Sequence, residues 1–144
     1  MLTKKLISSM IVLVFASGGL AQSAYTPSKD SPERKAILNA LRIPVEKELK
    51  QKIVFSVEHF KISDRWAFVS GSPQSASGGK PNYKGTPYQK AIAADMFDNN
   101  FFALLKKTGG HWRVVTRAIG CTDVCYATWW KDFKAPKSIF HYTE

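Results

Sequence analysis

The side chains best suited to covalent chemistry are Cys121 and Cys125, four positions apart. Thiol–disulfide chemistry is usually carried by Cys-x-x-Cys ahead of a helix, whose dipole lowers the pKa of the first thiol. The spacing here is one residue longer. Positions four apart in a regular helix hold their Cβ atoms about 5–6 Å apart, whereas a disulfide needs about 3.8 Å. A bridge therefore requires Cys121 to sit just before a helix, where the backbone can bend. A small disulfide loop and a pair of thiols both fit this pattern.

Other catalytic constellations are missing from the sequence. A metal site needs three or four converging ligands, but His59, His111 and His141 are scattered and none forms a short-spaced pair. Hydrolysis needs a nucleophile, a base and an orienting acid. No Gly-x-Ser-x-Gly elbow occurs, and neighbours on a strand, such as Glu58 and His59, point to opposite faces. Asp123 reads better as a helix cap than as an acid. Gly78-Gly79-Lys80 opens no helix and so makes no phosphate cradle. No catalytic residue, metal or cofactor is expected.

A binding pattern is better supported. Arg65, Trp66, Tyr88, Arg113, Arg117 and Trp129 combine aromatic faces with guanidinium groups, which suit anionic or aromatic ligands. Trp66, Trp112 and Trp130 also read as core. Trp129 and Trp130 are adjacent, so a helix cannot bury both on one face. Simple strand alternation puts Arg113 and Arg117 on one face with Val115, either solvated or lining a pocket.

These residues need a scaffold, and the chain offers one domain behind a leader. Lys4 and Lys5 precede an apolar run over 6–16, then small residues and Ala21. That layout is a secretory signal, too short for the roughly 20 apolar residues of a membrane span. Cleavage is expected after Ala21, with Ser23 as the alternative site. The processed chain would have 123 of the 144 residues and no membrane span. Losing Lys4 and Lys5 from 21 bases against 11 acids leaves a net charge of +8. A basic balance favours anionic partners. The bases are scattered and an exported protein meets little nucleic acid, so a small molecule, a cell-wall component or another exported protein is expected instead. The location would be periplasmic or secreted.

Residues 22–30 read as a flexible lead-in and residues 31–144 as a single α+β domain. Ser31-Pro32-Glu33 starts a helix, which Pro44 should break or kink. Alternation predicts strands over 52–62, 65–71, 101–107 and 111–119. A long loop spans 72–87. A short helix over 88–96 would turn Ala91, Ile92 and Met96 inward. A last helix, capped by Thr122 or Asp123, would place Val124, Ala127, Trp130 and Phe133 near one face until Pro136.

The resulting architecture is a four-stranded antiparallel sheet with an N-terminal helix packed on one face and a C-terminal helix. Its element order resembles the cystatin-like and NTF2-like α+β folds, and Leu104–Val115 resembles the closing hairpin of many NTF2-like domains. The processed chain is also similar to a family of small exported Gram-negative proteins of unassigned activity. The residues that carry the likeness begin with Glu33-Arg34-Lys35-Ala36-Ile37-Leu38, then Leu41-Arg42 with Pro44-Val45. They continue through Trp66-Ala67-Phe68-Val69-Ser70-Gly71 and Thr86-Pro87-Tyr88. They close on Trp112-Arg113-Val114-Val115, Ala118-Ile119-Gly120 and Thr122-Asp123-Val124. This resemblance implies fold and export, and brings no catalytic residues. Cys121 and Cys125 look like a local departure from it. The expected function is a non-catalytic binding protein. An inhibitor or protective partner of another exported protein is one alternative, and a small NTF2-like hydrolase or isomerase is another.

Overall fold

The computed structural model describes residues 23–144. The expected signal and its cut after Ala21 lie outside the described residues. Helix α1 spans Pro32–Leu49, with the Ser31 hydroxyl accepting from the Arg34 N–H and proline in the first turn. Ile37, Leu41, Val45 and Leu49 recur every fourth residue and are buried. Of the break or kink expected at Pro44, the break does not occur, and the helix runs on through it. A mid-helix proline costs about 3 kcal/mol, but Val45 and Leu49 beyond it each gain about 1.5–3 kcal/mol by burial. The helix therefore continues to Lys50, which closes it in the left-handed conformation.

Four strands follow: β1 (Ile53–Ser63), β2 (Trp66–Ser75), β3 (Phe101–Thr108) and β4 (His111–Ile119). They pair antiparallel in the order β1-β2-β3-β4. Strand β2 runs four residues into the stretch expected to be loop, where Pro73 pairs with Phe55. Both outer strands carry a bulge. Val57 and His59 face consecutive residues of β2, leaving Glu58 extra, and Thr116 and Val114 face consecutive residues of β3, leaving Val115 extra. At the first bulge a side chain on Gly71 would drive its Cβ into the Ser56 carbonyl oxygen, so only glycine fits.

The sheet is covered on both sides. One core joins α1 to Ile53, Phe55, Phe60 and Ile62 of β1, Ala67 and Val69 of β2, Phe101, Ala103 and Leu105 of β3, and Trp112 and Ile119 of β4. The opposite core joins Trp66, Phe68 and Leu104 to Tyr126, Trp129, Ala135, Ile139 and Phe140 of the C-terminal segment. The central strands are thus buried on both faces, which explains their unbroken apolar runs.

The expected C-terminal helix is largely absent. Residues 122–128 form turns, followed by α3 (Trp129–Asp132) and a 3-10 turn at Lys137–Ile139. Trp129 is the buried tryptophan of the pair and Trp130 is half-exposed, while Val124 and Phe133 are exposed. A continuous helix would cover less of the sheet than this strap, which reaches from the end of β4 across Phe102 and Phe68 to β1.

The segment between β2 and β3 also departs from expectation. Helix α2 is only Gln89–Ala93, and Ile92 and Met96 face solvent. Phe97 packs inward instead, with ring centroids 4.8 Å from Tyr83 and 5.7 Å from Tyr88. At the chain's start, Tyr25 makes two backbone hydrogen bonds to Ile62 (2.9 and 2.8 Å), which pins the lead-in to the edge of β1.

Candidate functional site

Arg117 and Tyr88 meet at a carboxylate that the sequence reading did not single out, that of Glu48. The Val115 bulge shifts the alternation of β4, so Arg117 pairs with Ala103 on the α1 side of the sheet. Arg113 pairs with Lys106 on the other side, in register with Trp66. The two arginines therefore do not share a face, contrary to simple alternation.

Glu48 lies one residue before the end of α1. The Arg117 guanidinium forms an ion pair with its Oε2, and the Tyr88 hydroxyl donates to its Oε1. The two charged side chains are only 25% and 22% exposed. Tyr88 is oriented by its loop as well: its N–H donates to Thr86 Oγ1 (3.3 Å), and that hydroxyl donates to the Tyr83 carbonyl (2.6 Å). Burial, with the Glu48 carboxylate beside it, pushes the Tyr88 phenol well above its ordinary pKa of 10. Tyr88 thus remains a hydrogen-bond donor at neutral pH.

Beside this cluster is an open groove of about 760 Å³. Its walls are Pro44, Lys47, Glu48 and Lys50 from the end of α1, Gly85, Thr86 and Pro87 from the loop, and Arg117 from β4. Among the described residues, three cations line it with one carboxylate. The groove lies between the helix, the sheet and the loop, and its size is typical of small-molecule sites.

The other expected binding residues lie elsewhere. Arg65 is exposed in the β1–β2 turn. Trp66 is buried, with Lys106 Nζ 4.8 Å from its ring centre. Trp129 is core, edge-on to Phe68. Cys121 and Cys125 lie at disulfide distance, Cα atoms 6.2 Å apart, where β4 passes into turns and not into a helix. Asn100 Nδ2 donates to the Cys121 carbonyl (2.8 Å). Among the described residues no three His, Cys, Asp or Glu converge as a metal site would require.

His59 and His141 stack on the strap side of the sheet, with centroids 5.5 Å apart. His59 Nε2–H donates to the Ile139 carbonyl (2.7 Å). Burial holds the His59 pKa below its ordinary 6.5, aided by His141 and Lys61 and opposed by that hydrogen bond. Folding thus favours the neutral ring. Its contribution to stability is present above pH 6.5 and is lost as pH falls through the depressed pKa. Thermal unfolding from pH 7 to pH 5.5 should show Tm falling by a few degrees. His59→Gln should flatten that fall, and an equally steep fall in the variant would exclude His59 as its source.

Comparisons with protein-family models, curated proteins and solved structures find no match for this chain.

Proposed function

We propose that this chain is an exported, non-catalytic binding protein that holds a small anionic ligand, aromatic or otherwise, in the groove beside Arg117. The observation that carries this reading is the convergence of Arg117, Lys47 and Lys50 on an open cavity whose one lining carboxylate, Glu48, is already engaged. A ligand anion there would meet uncompensated positive charge and the hydrogen-bonding edge of a guanidinium.

Catalysis has less support. A general base must be free to take a proton, and Glu48 is held by Arg117 and Tyr88. The histidines and cysteines do not line the groove. Export rests on the leader-like start, and the small exported family and the cystatin-like or NTF2-like architecture rest on the residue likenesses given above. A helix laid against a four-stranded antiparallel sheet is compatible with those folds.

Titration with phenyl phosphate, inorganic phosphate and succinate, followed by amide chemical shifts, tests the site. Saturable shifts at Thr86, Tyr88 and Arg117 are expected with at least one of them. They should be absent in Arg117→Met. If none of the three anions moves these amides at about 1 mM, a range typical of weak sites, the reading fails.

A further inference from the structure

The face of the sheet opposite the groove carries a second basic surface, of different character. Trp66, Lys106 and Arg113 form a row across β2, β3 and β4 by register. Lys106 and Arg113 are exposed, as is Arg65 beside Trp66. The strap on this face adds exposed Lys131, Lys134 and Lys137. Lys137 Nζ lies 3.8 Å from the ring centre of the half-exposed Trp130, and Phe133 is 36% exposed.

Little on this face neutralises these charges. Among the described residues the ion pairs are Lys52–Glu46 and Arg117–Glu48, both made by α1 on the other side. Asp64, Asp123, Asp132 and Glu144 are the exposed acids of the same turn and strap, so the six cations still outnumber them. Asp132 accepts from the Thr128 hydroxyl (2.7 Å). Lys106 and Lys137 lie over the Trp66 and Trp130 rings, contacts that leave their charge available to a partner.

We infer that this face docks on the surface of an anionic phospholipid bilayer. Charge alone would suit any polyanion, but Trp130 and Phe133 stand among the lysines. Aromatic rings gain free energy at headgroup depth, where Lys and Arg also meet anionic lipid. A soluble polyanion rewards only the charge. Binding would be peripheral, since among the described residues no helix is long and apolar enough to cross a membrane.

Co-sedimentation with vesicles of equimolar phosphatidylcholine and phosphatidylglycerol tests this, with phosphatidylcholine vesicles and soluble long-chain polyphosphate as the other arms. The protein should pellet with the anionic vesicles, stay in solution with the neutral ones, and be released by high salt. Each cation removed should weaken binding about fivefold, so Lys106→Glu with Arg113→Glu should weaken it at least about twentyfold. Phe133→Ser should weaken vesicle binding without changing any binding to polyphosphate. Lys47→Glu with Lys50→Glu, in the groove, should leave vesicle binding unchanged. Thermal melts of each variant show whether it is folded, and the salt response and a vesicle-induced blue shift of tryptophan fluorescence can be read on the wild type alone. The inference is overturned by no pelleting with anionic vesicles, by equal sensitivity to the groove variant, or by preference for polyphosphate.

Discussion

Arg117→Met should abolish anion binding in the groove and lower stability by about 1–3 kcal/mol, the usual cost of leaving a partly buried charged group without its partner. The loss comes from Glu48, whose side chain is only 22% exposed beside Arg117 and would be left without its cation. Adding Glu48→Gln should recover much of that stability, because a neutral amide still accepts from the Tyr88 hydroxyl and needs no countercharge. Binding should not return with it. Denaturant melts of the wild type, both single variants and the double variant close the cycle. Additive losses would mean that Arg117 and Glu48 are not coupled, and the cluster would then be a crossing of independent side chains.

Phe68→Ala should cost more, about 3–5 kcal/mol, and should act on one layer. The Phe68 ring is fully buried, 4.9 Å from Tyr126 and 4.8 Å from Phe140, and also near Trp129 and His59. It is the sheet residue on which the strap converges. Removing it should raise amide exchange across residues 124–142 well before α1 is affected. Phe101→Ala, in the core under α1, is the matched control and should show the opposite order. Identical exchange patterns in the two variants would mean that both layers open together as one cooperative unit.

The four strands and α1 could be read from the sequence because their burial follows simple periods. Ile37, Leu41, Val45 and Leu49 repeat every four residues, and Trp66 to Val69 alternates between two cores. Bulges leave no such trace. Glu58 and Val115 look like ordinary strand residues, yet the second one decides that Arg117 and not Arg113 reaches the groove. The strap misled for the opposite reason, because its helical spacing of apolar residues was accidental. Turns let Tyr126, Trp129, Ile139 and Phe140 spread over a wider area of sheet than one helix face would cover.

Glu48 was missed although a signal existed. It follows Val45 by three and Leu41 by seven, so it flanks the buried stripe. It also lies at the end of a helix where the macrodipole opposes negative charge. A carboxylate in that place needs a cation from another element, and Arg117 supplies it. The ring cluster of Tyr83, Tyr88 and Phe97 had no comparable signal, because its members come from irregular chain without a repeat.

The irregular strands are the two at the margins of the sheet. An outer strand presents unpaired peptide groups along its free side and invites another chain to add to it. A residue without a partner interrupts the even spacing of those groups and increases the local twist. Glu58 does this on one flank and Val115 on the other, so neither offers a long straight template for polymerisation. The bulge that turns Arg117 toward the helix thus also interrupts the edge along which a neighbouring copy would have to pair.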